Sequence, residues 1–192
     1  LSTIAHKKHR KAYSLEALKD QIQKSLPQDK PVHKAFIFGA LTATRQREFR
    51  PAKWEEIDLE KAVWTIPPER RKDKKDEPFL IPLSRQAVAL LKSIKRQGEY
   101  VFSGTYSKNR PLANYYVSSL VWIASEGTAT MHGCRSTFRD WAARSGINRE
   151  VAEKCLMHAL GSVEASYQRD DLLDKRKEVM QRWADAILPD DI

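Results

Sequence analysis

The chain has 192 residues, of which 41% are hydrophobic, which is enough for one well-packed core and short for two. Lysine and arginine number 34 against 25 aspartate and glutamate, and the resulting net charge of +9 suits a polyanionic partner without naming it. Two cysteines and no apolar run near the roughly 20 residues that span a bilayer exclude a disulfide-rich secreted protein and a membrane protein. The composition favours a soluble, cytoplasmic protein.

The sequence predicts a basic segment followed by one domain. Residues 1–13 contain a run of histidine, lysine and arginine without apolar periodicity, which is typical of a mobile linker. Residues 14–192 are expected to form the domain. Because the chain begins with leucine and not methionine, we expect it to be a fragment from which upstream domains are missing.

Helical spacing dominates the apolar pattern along the domain. Helices are predicted at residues 14–26, 32–41, 84–94, 114–124, 133–144, 149–157 and 172–188. Short β-branched or aromatic runs predict strands of one antiparallel sheet at residues 54–59, 62–66 and 79–83. The stretch 69–77 is so highly charged that we expect an exposed loop. The fold class is therefore mainly α (α+β), with a small three-stranded antiparallel sheet.

Two early segments place cationic residues beside breaks in this pattern. Arg45 follows the second predicted helix, and Glu48 stands three residues later. Taken alone, such a pair is usually a surface salt bridge. The lysines Lys72, Lys74 and Lys75 lie in the loop between two predicted strands, where a solvated turn is the default interpretation.

Three later segments add acid–base residues. His132 and Arg135 open a predicted helix, where free backbone N–H groups bind anions, and their spacing puts them on one helix face. A histidine that caps this helix is the simpler alternative. His158 stands near the end of another helix, and Tyr167 ends a short segment after it. A lone tyrosine usually packs against the core, so only its neighbours indicate a nucleophile.

In this order, Arg45, His132-x-x-Arg135, His158 and Tyr167 resemble the signature of the tyrosine recombinase family, especially its phage-type integrases. The resemblance extends from residue 36 to residue 188 and includes the strings WEEIDL, VWTIP, IPLS and RWA. Lys72 resembles the family's strand-turn lysine, and the five motifs in the right order are far more specific than one. Two positions depart from the family pattern, since Arg47 stands where glycine is usual and Cys134 where phenylalanine is usual.

The resemblance implies a helical catalytic domain that cuts and rejoins DNA through a 3′-phosphotyrosyl intermediate, without a metal ion or cofactor. Tyr167 would attack the phosphate, His132 would accept its proton, and Lys72 would be the general acid, with Lys74 and Lys75 as alternatives. The phosphate would be held by Arg45, Arg135 and His158. Glu48 would support Arg45.

The same resemblance implies double-stranded DNA attachment sites as the substrate and a homo-oligomer, a tetramer on DNA, as the working assembly. The isolated chain is expected to be a monomer or part of such an oligomer. The missing upstream domains would add further DNA contacts. The closing helix would dock either on its own chain or on a neighbouring subunit.

Three alternatives remain at this point. A type IB topoisomerase uses the same covalent step, and a prophage remnant would bind DNA without recombining it. A structural DNA-binding module is the third, because His132, Cys134, Cys155 and His158 have a spacing that permits a zinc site.

Overall fold

The computed structural model describes residues 13–72, 76–104, 107–158 and 172–188. Nearly all of the predicted linker at 1–13 lies outside the described residues. Three candidate site residues also lie outside them, namely Lys74, Lys75 and Tyr167.

The described ranges contain eight α-helices. They are α1 (Leu15–Ser25), α2 (Pro31–Thr42), α3 (Gln46–Phe49), α4 (Arg85–Lys92), α5 (Asn114–Ala124), α6 (Met131–Arg144), α7 (Arg149–Cys155) and α8 (Leu173–Ile187). All seven predicted helices are present, with ends that differ by a few residues. The four-residue helix α3 was not predicted, because it is too short to show helical periodicity.

The predicted sheet is present as β1 (Ile57–Asp58), β2 (Val63–Ile66) and β3 (Phe79–Pro82), antiparallel in the order β1-β2-β3. Its first strand is shorter than predicted, because Trp54–Glu56 forms a 3-10 turn. The Glu56 carboxylate stabilises that turn by accepting from the Lys53 backbone N–H at 3.2 Å and from Trp64 Nε1 at 3.0 Å.

A second, two-stranded sheet was not predicted. It pairs β4 (Ser103–Gly104) with β5 (Ser107–Pro111). Neither strand contains the β-branched or aromatic residues that indicate a strand.

The expectation of a fully exposed loop at residues 69–77 is wrong at Arg71. This side chain is buried, its guanidinium lies 5.1 Å from the centre of the Phe79 ring, and Nη1 donates to the Glu77 carbonyl at 2.6 Å. The adjacent Arg70 pairs with Glu56. Guanidinium groups become buried here because an aromatic face, a carbonyl and a carboxylate replace water.

Helix α2 lies at the centre of the core. Every residue from 35 to 42 is buried, as expected for a helix that is apolar on all sides. It contacts α1, α3, α4, α5, α6 and α8. At Gly39 the approach is very close, because an added Cβ would lie 2.5 Å from the Phe49 ring and 2.7 Å from Met131. Helices α3 and α6 are therefore held tightly against α2.

Helix α8 packs on its own chain. Trp183 is fully buried and its Nε1 donates to the Ala40 carbonyl of α2 at 2.9 Å. Buried Arg176 donates from Nη1 to the Leu80 carbonyl of β3 at 2.7 Å. Among the helices that the structure describes, none has the length and apolar character needed to cross a membrane.

Candidate active site

Arg45 is held where the chain turns out of α2. Ala43 adopts a left-handed conformation, with φ of 49°, and ends the helix. Glu48 accepts the Arg45 backbone N–H at 2.7 Å and Nη1 at 3.0 Å. The Glu48 side chain is fully buried, so this pair is not a surface salt bridge, which was the simpler interpretation of the sequence alone. A buried carboxylate fixes the Arg45 side chain.

Arg135, on the first turns of α6, is buried and held mainly by backbone. Its Nη1 donates to the Ala43 carbonyl at 2.5 Å, and its Nη2 donates to the Leu156 carbonyl at 2.6 Å. Burial and, to a lesser extent, the charge of Arg45 lower the pKa of Arg135 to about 10, against the opposing carboxylates Glu48 and Glu153. Arg135 is therefore still a cation at neutral pH.

The guanidinium of Arg135 keeps part of its donor capacity. Arginine has five N–H donors. Three of them are used by the two carbonyls and by Nε2 of His158, 3.1 Å from Nη2. Nε has no hydrogen-bond partner among the described residues, although it is buried. An anion beside Arg135 would satisfy this donor.

His158 follows α7 and contacts Arg135 on one side and an acid on the other. Its Nδ1 lies 2.5 Å from Oε2 of Glu153. Burial lowers the pKa of His158 below its ordinary value, and Arg135 and Arg45 add to this, while Glu153 raises it. His158 is therefore neutral at neutral pH.

The tautomer of His158 follows from its two neighbours. Arg135 can only donate, so Nε2 of the neutral ring accepts, and Nδ1 carries the hydrogen and donates to Glu153. In this state His158 has no proton on Nε2 to give to a phosphate. The predicted role as a third phosphate donor needs a change of protonation or orientation.

His132 lies on the same groove as the two arginines. The groove has a volume of about 1020 Å³, and its basic lining residues are Arg45, Arg47, His132 and Arg135. His132 is exposed and lies at the start of α6. In the described structure the N-cap residue Thr130 makes no side-chain capping bond, so the helix start offers N–H groups to an anion.

Helix α5 forms an apolar wall of this groove that sequence reasoning missed. Tyr115, Trp122 and Ile123 line it and are 60%, 55% and 75% exposed. Ser118 donates to Gln46 Oε1 at 2.9 Å, which ties α5 to α3 beside Arg45. Exposed aromatic side chains beside cations are typical of a binding surface.

The structure does not bring every predicted residue to the groove. Lys72 is exposed, and neither it nor His158 is among the described residues that line the groove. Among the described residues no three histidine, cysteine, aspartate or glutamate side chains form a group that could hold a metal. The described residues His132, Cys134, Cys155 and His158 therefore do not form the group that the zinc alternative requires.

Glu153 is a neighbour of His158 that sequence reasoning overlooked. It is buried in the last turns of α7, five residues before His158, and its other oxygen lies 2.8 Å from Nη2 of Arg139. An acid shortly before a candidate histidine at a helix end was the available signal. The five-residue spacing does not place the two on one helix face, so the pattern was easy to miss.

The chain is similar in sequence to several known proteins. The profile described as "Phage integrase family" matches residues 11–172. Putative protein IntB of Escherichia coli (strain K12) is 33% identical over 74% of this chain and 41% of its own length. Prophage integrase IntA of the same organism is 32% identical, over 79% and 38%. The chain thus spans about two fifths of the length of these relatives.

Solved structures of similar fold include an integrase from mycobacterium phage Brujita, with a TM-score of 0.68 and 17% identity over 95% of this chain and 64% of that one. A lambda integrase tetramer bound to a Holliday junction has a TM-score of 0.62 and 20% identity, covering 88% and 51%. At such identities the likeness shows the fold, and it confirms the predicted helical domain with a small antiparallel sheet.

Proposed function

Because the chain belongs to the phage integrase family, we propose that it cuts and rejoins DNA strands in site-specific recombination, in the integration or excision of phage DNA. The observation that carries this proposal is that Arg45, His132 and Arg135 line one groove. Two guanidiniums and an imidazole suit a phosphodiester, since planar N–H forks match its non-bridging oxygens.

Tyr167 is the nucleophile in this proposal, on the basis of the family resemblance. A phenol with a pKa near 10 is ionised in only about one molecule per thousand at pH 7, which costs a phenolate about 4 kcal/mol. Cations near the phosphate offset this cost by stabilising the charge that grows on its oxygens. The groove-lining Arg45, and the donors that Arg135 has left, would perform that task.

The proton and bond changes balance without a cofactor. The Tyr167 oxygen forms a bond to phosphorus while the bond from phosphorus to the 5′ oxygen breaks, which gives a 3′-phosphotyrosyl link and a free 5′ hydroxyl. His132 takes the tyrosine proton, since arginine stays protonated and is a poor base. Lys72 supplies the proton to the 5′ oxygen. Rejoining reverses these steps, because the covalent link conserves the energy of the phosphodiester.

The substrate is double-stranded DNA carrying attachment sites, and the working assembly is a homotetramer on that DNA, in the cytoplasm. Two observations support a DNA partner. The net charge is +9, and a lambda integrase of the same fold was solved as a tetramer bound to a Holliday junction. The chain spans about two fifths of the length of the relatives IntB and IntA.

The experiment uses nicked suicide substrates that carry candidate attachment sites and trap the covalent intermediate. We expect Tyr167→Phe to bind this DNA within about twofold of the parent chain and to form no adduct, since only the attacking hydroxyl is lost. Tyr115→Phe is the matched control, because Tyr115 lines the groove and its variant should still form the adduct. A denaturation-resistant adduct from Tyr167→Phe would remove Tyr167 from its role.

The products separate the remaining alternatives. Strand exchange between two specific sites supports a recombinase, whereas relaxation of supercoils at any sequence would show a topoisomerase. DNA binding by the parent chain without any adduct, when a longer protein with the same domain is also inactive, would show a remnant that only binds.

A further inference from the structure

The contacts of Glu153 point to a role that none of the predicted site residues fills. Its carboxylate is buried between Arg139 of α6, at 2.8 Å, and Nδ1 of His158, at 2.5 Å. A buried carboxylate is costly unless both oxygens are paired, and here both are. One partner, Arg139, is 54% exposed. The other, His158, contacts Arg135 through its Nε2.

We propose that Glu153 is a positioning residue that fixes His158 in its Nδ1–H tautomer, so that Nε2 accepts a hydrogen bond from Arg135 and orients its guanidinium toward the phosphate. This role rests on the proposed function. With the carbonyls of Ala43 and Leu156, the imidazole makes three acceptors that surround Arg135. Three acceptors fix the plane of a guanidinium, and they leave Nε and one Nη1 hydrogen for a ligand.

The Nδ1–H tautomer is held from both sides of the ring, since Arg135 only donates to Nε2 and the Glu153 carboxylate accepts from Nδ1. Arg135 and Arg45 are cations, and both disfavour a charged imidazole. A neutral imidazole without Glu153 could carry its hydrogen on Nε2 and would then oppose the N–H of Arg135 instead of accepting it. The carboxylate at Nδ1 removes this second tautomer. Glu48, an acid that also interacts with Arg135, pairs with Arg45.

The experiment compares three variants of the 192-residue chain by ¹⁵N NMR of the His158 ring and by the rate of adduct formation. Glu153→Leu removes the acceptor, so we expect mixed tautomers. The adduct should form about 10- to 100-fold more slowly, the range known for carboxylates that orient metal-bound histidines. DNA affinity should change little, because the groove cations remain.

Glu153→Gln keeps an acceptor oxygen, so the tautomer and most of the adduct rate should be retained. The pKa of His158 should fall, because the negative charge that raises it is lost.

Arg139→Gln is the matched control, since it breaks the same ion-pair network but keeps the carboxylate. We expect it to retain the Nδ1–H tautomer and the adduct rate. If Glu153 served only to tie α6 to α7, Arg139→Gln and Glu153→Leu would act alike, and the proposal would be overturned. An unchanged His158 tautomer in Glu153→Leu, or an unchanged pKa of His158 in Glu153→Gln, would also overturn it. Because the NMR measurement needs no DNA, these outcomes are distinct from absence of the adduct in the parent chain, which would count against the proposed function.

Discussion

Arg135 is oriented by backbone carbonyls, and this distinguishes it from Arg45. Arg45 pairs with a buried acid, whereas Arg135 is bonded to the carbonyls of Ala43 and Leu156. Those carbonyls lie at the ends of α2 and α7, so one side chain of α6 joins three helices. Carbonyls hold a guanidinium without cancelling its charge, and Arg135 therefore keeps its full charge for an anion.

The variant Arg135→Lys should destabilise the fold as well as reduce catalysis. Lysine keeps the charge but cannot reach two carbonyls with a planar fork, and a buried acceptor that loses its donor costs about 1–3 kcal/mol. We expect a loss of about 2–4 kcal/mol in the free energy of unfolding, measured by urea denaturation. Arg47→Lys is the control, because Arg47 is exposed and should change stability by less than about 0.5 kcal/mol. Equal losses for the two variants would contradict this assignment.

Candidate site residues at helix ends were predictable from the sequence. The groups that orient their side chains were not. Arg45, His132 and Arg135 each stand at the end or start of a helix, where cations are noticeable. The left-handed residue Ala43 has no comparable sequence signal, because it binds Arg135 through its backbone carbonyl oxygen. Glu153 was missed for a related reason, since it acts on a histidine beyond the end of its own helix.

At the scale of elements, long periodic helices were predictable and short connecting elements were not. All seven helices predicted from apolar spacing occur. The local hairpin β4–β5 was missed because it lacks β-branched and aromatic residues, whereas α3 is held by contacts distant in sequence. Helix α3, for example, is fixed by Phe49 against Gly39 of α2 and by Gln46 against Ser118 of α5. No local pattern encodes such contacts.

Gly39→Ala tests how far this packing positions the site. Alanine favours a helix by about 1 kcal/mol over glycine, but here its Cβ would overlap Phe49 and Met131. Overpacking of this kind costs about 1–3 kcal/mol, so we expect a net loss of stability by urea denaturation. Adduct formation per folded molecule should also fall, because the helices that carry Arg45 and Arg135 must move.

Gly146→Ala is the control for Gly39→Ala. At Gly146 φ is +67° and nothing lies within 4 Å of an added Cβ, so the cost is conformational, about 1 kcal/mol, without displacement of neighbours. Its adduct formation per folded molecule should be unchanged. A Gly39→Ala variant that is more stable than the parent would mean that helix propensity outweighs packing at this position.

On the scale of the whole molecule, α8 belongs to the core as much as α2 does. The sequence left open whether the closing helix docks on its own chain or on a neighbour. In this structure Trp183 and Arg176 are fully buried and bonded to α2 and β3 of the same chain. Removing α8 would leave the carbonyls of Ala40 and Leu80 without these donors. Docking in cis therefore stabilises the single subunit.

Hydrogen exchange provides the test of docking in cis. We expect the amides of α8 to exchange as slowly as those of α2, because both helices open only when the core does. Their protection should also stay constant on about 100-fold dilution, since a contact within one chain does not depend on concentration, whereas a contact between subunits does. Exchange in α2 serves as the internal reference. Loss of protection in α8 alone on dilution would show that the helix docks on a neighbouring subunit and would contradict docking in cis.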